Sequence, residues 1–479
     1  MGNIFDAPAQ AFSWARARRL LPGRAVRGAM ALVLSLSAGL ALGADGEAVA
    51  RPACAPAAAQ PAWGAAEIRA SRVVHRSDLP ARPAAVFGGI DVRDLVIAVD
   101  AGGRQVTVLD GARFEPVYRL PGGRTLQGAP KFAPDGRFLY FASPDGWVGK
   151  FDLWNLALVA EVRVGLDTVD IAVAADGAHV AVANCLPRTL VLLDADLGLL
   201  KMHAVLDKAG RNSSRVAALR DAASRQSFVV ALEDAPEVWE ISYDPKAEDV
   251  PIGVIHDFQY REGAFVRGYL NPRRSAVPTP LADFTFAPDH SELLGATRAA
   301  GKAQVMNLDV RKRIAEVEVS ALARPGAAEV WDRNGRPVMA LRERGEGAIG
   351  VVDLETWRTV RRIPMPGPGR FVRSHAATRY AWADSTMPGA GVALQVIDKR
   401  TLEPVTEVTL ASGGTLLHLA FTRDGRHLLA SLGEPGAGAG ALVVLDATTF
   451  AQVRRIPMDM PIGAYGFDGR IERPGAPAS

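Results

Sequence analysis

"TLLHLAFTRDGRHLLAS", residues 415–431, reads as one β-hairpin. Apolar residues run to Phe421, the pair Asp424-Gly425 supplies a tight turn, and a second apolar run starts at Leu428. Asp-Gly between two such runs is a strong hairpin signal, because glycine takes the left-handed backbone that the turn needs. Cousins of the stretch recur as "FAPDGRFLYFAS" at 132–143 and "WDRNGRPVMA" at 331–340.

The repetition extends to apolar strands that end in aspartate. They include "VGKFDLWNL", "LVLLDADLG", "IGVVDLETW", "LQVIDKRTL" and "LVVLDATTF", and the aspartates fall at 110, 152, 194, 244, 309, 353, 398 and 446. Successive intervals are 42, 42, 50, 65, 44, 45 and 48 residues. A period of about 40–50 residues, with four short strands per unit, is the signature of a β-propeller. Eight units between residue 91 and about 470 predict an all-β, eight-bladed propeller of four-stranded blades. The interval of 65 predicts an insertion at 251–278.

Residues 167–205 show one unit internally. Strand A ends at the turn Asp176-Gly177, strand B spans 179–184, strand C spans 189–194, and a further turn leads to the outer strand D. Strand A lines the central channel, and the A–B turn closes one end of it. The D-to-A connections and B–C loops therefore gather at the other end. Gln127, Arg215, Ala282, Arg324 and His418 hold the same station near this mouth in different blades, and Cys185 belongs to a B–C loop there.

The ends of the chain read differently. Arg16, Arg18, Arg19, Arg24 and Arg27 precede the apolar run "GAMALVLSLSAGLALGAD" at 28–45, which predicts a cleaved export signal at 1–43 and a periplasmic mature protein. Residues 44–84, Ala/Pro-rich at their start, predict a flexible leader; 85–470 the propeller; and 471–479 a disordered tail. Without the basic N-terminus the formal charge of +3 falls to about −1, which gives nucleic acid no electrostatic footprint. The two cysteines, Cys54 and Cys185, are compatible with a disulfide, though their spacing demands none. No C-x-x-C-H occurs, so no covalently attached haem c is expected. A phosphate-cradling glycine loop, a paired-histidine zinc motif and a nucleophile elbow are also missing.

Several long segments resemble the haem d1 domain of the cytochrome cd1 nitrite reductase family. They are "GAPKFAPDGRFLYFASPDGWVGKFDLWNLALVAEVRVGL" at 128–166 and "VAVANCLPRTLVLLDA" at 180–195. "SRVAAL", "SFVVALEDAPEVWEI", "PGPGRFVRSHAATRY" and "HLAFTRDGR" are more similar still to its dihydro-haem d1 dehydrogenase branch. The resemblance implies a propeller over residues 85–468 that holds haem d1 or a precursor at one mouth, without the cytochrome c domain of those enzymes.

Carried over residue by residue, the resemblance is partial. Gln127 in "QGAPKF" stands where the family has its proximal histidine, and Ala282 and Arg324 stand near the two distal ones. His418 matches the dehydrogenase-like histidine and is the implied iron ligand, since imidazole is a common axial donor. Arg215 and Arg324 suit macrocycle carboxylates, Cys185 is a lesser candidate contact, and Tyr465 in "GAYGFDG" matches a tyrosine of the dehydrogenase. Tyr465 and Arg324 are the candidate catalytic groups. His375 sits beside an A–B turn and reads as structural, and His427 as a surface residue.

Two readings follow. One is a periplasmic propeller that binds a d1-type tetrapyrrole for maturation, transfer or oxidation in denitrification, with nitrite reductase or a periplasmic electron acceptor as partner. If it is an enzyme it is an oxidoreductase, and nitrite reduction on its own is not expected. The other is a cofactor-free propeller serving as a protein-interaction platform.

Overall fold

The computed structural model describes residues 63–467, apart from 103–104, 121–125, 258–261, 298–300, 320–327, 344–346, 388–390 and 434–439. The expected export signal, the start of the leader, the C-terminal tail and Arg324 lie outside the described residues.

Eight antiparallel blades form the propeller. The inner strands of blades 2 to 8 are Gln127–Phe132, Asp167–Val173, Val216–Ala222, Leu281–Phe286, Glu329–Arg333, Val372–Ser374 and Thr415–Phe421. Blade 1 departs from the linear count of units. Its inner strand is Pro461–Gly466, from the C-terminal end of the propeller, paired with Val96–Asp100 through Ile97↔Tyr465 and Ala98↔Ala464. A ring assembled strictly in chain order would leave the first and last blades joined only by side-chain packing. Sharing one blade between the two ends adds main-chain hydrogen bonds at the seam.

Packing between blades follows from strand alternation. Val96 and Ala98 pack against Leu429 and Val444 of blade 8, whereas Ile97 and Val99 pack against Leu139 and Phe151 of blade 2. Both faces of each sheet are thus buried by a neighbouring blade, as a period of two requires. The same arrangement recurs at the other blade interfaces, with Phe228 and Trp239 of blade 4 meeting blade 3.

The repeated aspartates are turn-makers. The Asp152 carboxylate accepts the N–H groups of Trp154 and Asn155 at 2.9 and 3.1 Å, and Asp398 accepts those of Arg400 and Thr401 at 2.8 and 2.9 Å. Four residues on, Leu156 and Leu402 take φ of 51° and 61°. Leu402 buries its side chain nearly completely, which offsets the cost of left-handed backbone in a non-glycine residue. In two blades the sequence count of aspartates is out of register. The equivalent acceptors are Ser242, which takes the N–H of Asp244, and Asn307, which takes those of Asp309 and Val310.

Two further expectations change. Strand Pro272–Ala276 is the outer strand of blade 4, so the inserted material precedes it, as the hairpin Val250–Asp257 and Glu262–Val266. Residues 63–84, assigned above to a flexible leader, are built into the fold. Helix Ala65–Ser71 buries Ile68 against Tyr140 and Val162, and Val73–Val74 adds a fifth strand to blade 2. One buried residue in a helix of seven gives no readable periodicity, so composition alone hid the helix. Among the described residues no helix is long and apolar enough to cross a membrane.

Candidate functional site

The inner strands surround a cavity of about 990 Å³ on the channel axis. It extends from His418, the fourth residue of strand Thr415–Phe421, towards the A–B turns, where Pro134, His290, His375 and Phe467 line it. The described cavity therefore occupies the half of the channel facing the A–B turns, below the mouth deduced from the sequence.

Each inner strand brings at least one polar or titratable side chain to this region. In ring order they are Lys131, Asp170, Arg220, Asp283, Glu329, Arg373, His418 and Tyr465. The Arg220 guanidinium is paired with Asp283 at 2.6 Å and donates to the Phe284 carbonyl at 2.9 Å. Arg373 meets Glu329 at 3.5 Å and donates to the Leu419 carbonyl at 3.0 Å. Asp170 accepts the N–H of Leu219, at 3.3 Å, from the next blade. Opposite charges thus link the inner strands of blades 4 and 5 and of blades 6 and 7.

His418 and Tyr465 close the ring, with centroids 4.6 Å apart and planes inclined by 51°. The imidazole is enclosed by protein on nearly every side but keeps some surface on the cavity. Burial, reinforced by the charge of Arg373, lowers its pKa to about 3, so it is neutral at physiological pH. That is the form with a free lone pair for a metal. Its Nδ1 is buried without a hydrogen-bond partner among the described residues, and the same is true of Oγ of Ser431, its cross-strand partner. Burial also pushes the Tyr465 phenol up to about 12, leaving it protonated. The phenol lies directly over Gly463, where any Cβ would collide with its hydroxyl.

Asp221 also lines the cavity and was not singled out in the sequence. One carboxylate oxygen accepts the N–H of Ala175 at 3.1 Å, and burial pushes the group up to about 7. His375 packs its ring over Gly425, and its Nδ1 accepts the N–H of Ala377 at 3.1 Å, in keeping with a structural role.

The other sequence candidates are placed elsewhere. Arg215 lies at the start of blade 4's inner strand, away from the cavity lining, and its guanidinium is taken up by Asp234 at 2.5 and 2.9 Å and by Glu233 at 3.5 Å. A macrocycle carboxylate would have to displace those partners. Cys185 is disulfide-bonded and 1% exposed, so it has no thiolate to offer a ligand; this corrects its candidacy. The backbone of Gln127 pairs with Ala142, and its side chain, like Arg324, lies outside what the structure describes.

Apart from His418, Tyr465 and His375, the cavity residues escaped the sequence reading for a physical reason. A lone charge two to four residues before a hairpin turn looks like a solvated rim position. Only closure of eight inner strands turns it inward. The available signal was the recurrence of charged or polar residues inside these short inner strands, as Arg220 and Asp221 in VAALRDA and His418 in TLLHLAF.

Comparison with known proteins adds to this geometry. The family model described as "Cytochrome D1 heme domain" matches residues 90–468. A dihydro-heme d1 dehydrogenase of Pseudomonas aeruginosa is 42% identical over 415 residues, which are 86% of this chain and 78% of the relative. Protein NirF of Stutzerimonas stutzeri is 22% identical over 80% of this chain and 93% of its own length. Among solved structures, dihydro-heme d1 dehydrogenase NirN in complex with DHE superimposes with a TM-score of 0.76 at 41% identity, covering 86% of this chain and 83% of that one.

Proposed function

This chain belongs to the cytochrome D1 heme domain family, and on that premise we propose that it is an exported propeller that holds a d1-type tetrapyrrole for its maturation. The observation that carries the reading is His418: a neutral imidazole, enclosed by protein, facing a cavity of about 990 Å³, with Tyr465 beside it. The donor set fits the group, because a buried imidazole held neutral is ready to ligate iron without first losing a proton.

When bound, the macrocycle would supply the redox chemistry. His418 would hold its iron. Arg220 and Arg373, fixed by Asp283 and Glu329, would present oriented positive charge to its acidic side chains. Tyr465 stays protonated and is fixed over Gly463, so it would hold a proton at its hydroxyl beside the macrocycle. The reaction class that suits this arrangement is the two-electron, two-proton oxidation of a dihydro precursor, with the two electrons passing to a separate acceptor and the two protons to solvent. The likeness to dihydro-heme d1 dehydrogenase supports this choice. The arginine-rich start and apolar run at 16–45 support export to the periplasm.

Titration of the apo-protein with haem d1 and with its dihydro precursor tests the reading. Wild type should give a ligated-iron spectrum that His418→Ala shifts or loses, with affinity falling tenfold or more. Tyr465→Phe should bind equally well and slow conversion of the precursor. Identical spectra for wild type and His418→Ala would remove the imidazole from the proposal.

A further inference from the structure

Blades 4 and 5 carry a chain of polar groups from the cavity to the surface. Its inner end is Asp221, in the cavity lining. One carboxylate oxygen accepts the Ala175 N–H at 3.1 Å, whereas Oδ1 is buried without a hydrogen-bond partner among the described residues. The Tyr243 hydroxyl stands beside it and is likewise without an aligned partner. His290, from the A–B turn of blade 5, also lines the cavity, near enough for its charge to act on Asp221. It is 3% exposed, its ring packed edge-on against Phe286 at 5.0 Å. The outer end is Ser224, exposed in the turn Ala223–Arg225 of blade 4. Its Oγ lies 2.7 Å from His290 Nδ1 and 2.6 Å from the Asp289 carbonyl oxygen.

A serine has one hydroxyl proton, and these two contacts compete for it. A carbonyl oxygen only accepts, so the Ser224 proton goes to Asp289 and His290 Nδ1 is the donor to Oγ. The neutral ring therefore carries its hydrogen on Nδ1 and its lone pair on Nε2. An imidazole in that state takes a proton at one nitrogen and releases another from the opposite one. At the inner end, a buried carboxylate oxygen left without a donor costs free energy and calls for a reason. Burial, set against the facing groups Ala175, Asp176, Tyr243 and His290, pushes Asp221 up to about 7. Both of its protonation states are thus populated near neutral pH, as proton transfer requires.

We propose that Asp221, His290 and Ser224 form an exit for protons released in the cavity. This rests on the oxidation proposed above, which sheds two protons for each pair of electrons. A proton set free in the cavity binds the Asp221 carboxylate and passes to His290 Nε2. Nδ1 gives its own proton to the Ser224 hydroxyl, and that hydroxyl gives one to water. Each of the three groups ends with the number of protons it began with. The electrons travel separately, to a one-electron oxidant.

The experiment compares wild type with His290→Asn, since asparagine tolerates the left-handed backbone at position 290, where φ is 59°. A single turnover of the dihydro precursor with ferricyanide as oxidant is followed in weak buffer with a pH-indicator dye. Spectra of the bound precursor and melting temperatures are recorded in parallel, and nitrogen NMR of histidine-labelled apo-protein reads the His290 tautomer. The expected apo-protein carries hydrogen on Nδ1. His290→Asn keeps the bound-precursor spectrum, releases protons tenfold or more slowly, and is restored in part by added imidazole. A merely structural histidine would not be rescued in this way. Conversion by wild type with proton release unaltered in His290→Asn overturns the exit alone. Slow release that imidazole does not restore, or a hydrogen found on Nε2, overturns it as well. No binding or conversion by wild type overturns the function proposed above, and this inference with it.

Discussion

Asp221 and His418 are buried titratable groups that act on folding in opposite directions. Asp221 faces the Ala175 N–H and Asp176 from blade 3, Tyr243 from its own blade and His290 from blade 5, and burial outweighs them to give a pKa of about 7 against an ordinary 3.8. Between these values the folded protein binds more protons than the unfolded chain, so this group's contribution is fully present at low pH and is lost as pH rises towards 7. His418, lowered from 6.5 to about 3, works the other way: its burial costs stability as pH falls through that window. Each effect is on the order of 4 kcal/mol, and in wild-type apo-protein they oppose each other between about pH 4 and 6.5. Urea denaturation as a function of pH should therefore show Asp221→Asn losing stability more steeply on acidification than wild type. Parallel profiles would mean that Asp221 is ionised in the folded state. His418 was legible in the sequence as a lone imidazole on a repeated strand. Asp221 was not, because an aspartate just before a turn is usually a turn residue, and its burial depends on Tyr243 more than twenty residues away.

At the scale of the hairpin, the sequence spoke most clearly where side chain and backbone chemistry coincide. The Asp-Gly turns and the strand-ending aspartates could be read because each satisfies a local hydrogen-bond requirement that few residues meet. The blades that use Ser242 and Asn307 instead were misregistered for the same reason, since other acceptors do the same work. Gly425 shows how local and non-local demands combine. Its φ of 70° already disfavours a side chain, and a Cβ there would strike the His375 ring of the neighbouring blade. Gly425→Ala should cost about 2–3 kcal/mol by adding left-handed strain to overpacking. His375→Ala in the same background should recover part of that loss by making room. A chemical-denaturation double-mutant cycle measures the coupling, and strictly additive costs would show that the two blades do not meet there.

Across the whole molecule, closure of the ring builds the site as well as the fold. His418 belongs to blade 8, the last blade built from consecutive strands, while Tyr465 lies on the terminal strand that completes blade 1. Their contact exists only once Pro461–Gly466 has paired with Val96–Asp100 across more than 360 residues of chain. The periodicity gave eight blades but not this exchange, because a repeat count cannot tell which chain end supplies the missing strand. Truncation after Met460 would strip the inner strand from blade 1 and uncover Ala98, Val99 and the apolar seam between blades 1 and 8. It should lower the melting temperature by roughly 10 °C or more, given about 2–4 °C per kcal/mol in smaller domains, and abolish tetrapyrrole binding. Tyr465→Phe, which keeps the strand, should melt within a few degrees of wild type. A truncated protein that melts as a full-length ring would show that blade 1 is held by its three remaining strands. The neighbouring imidazole would then owe its position to blade 8 alone.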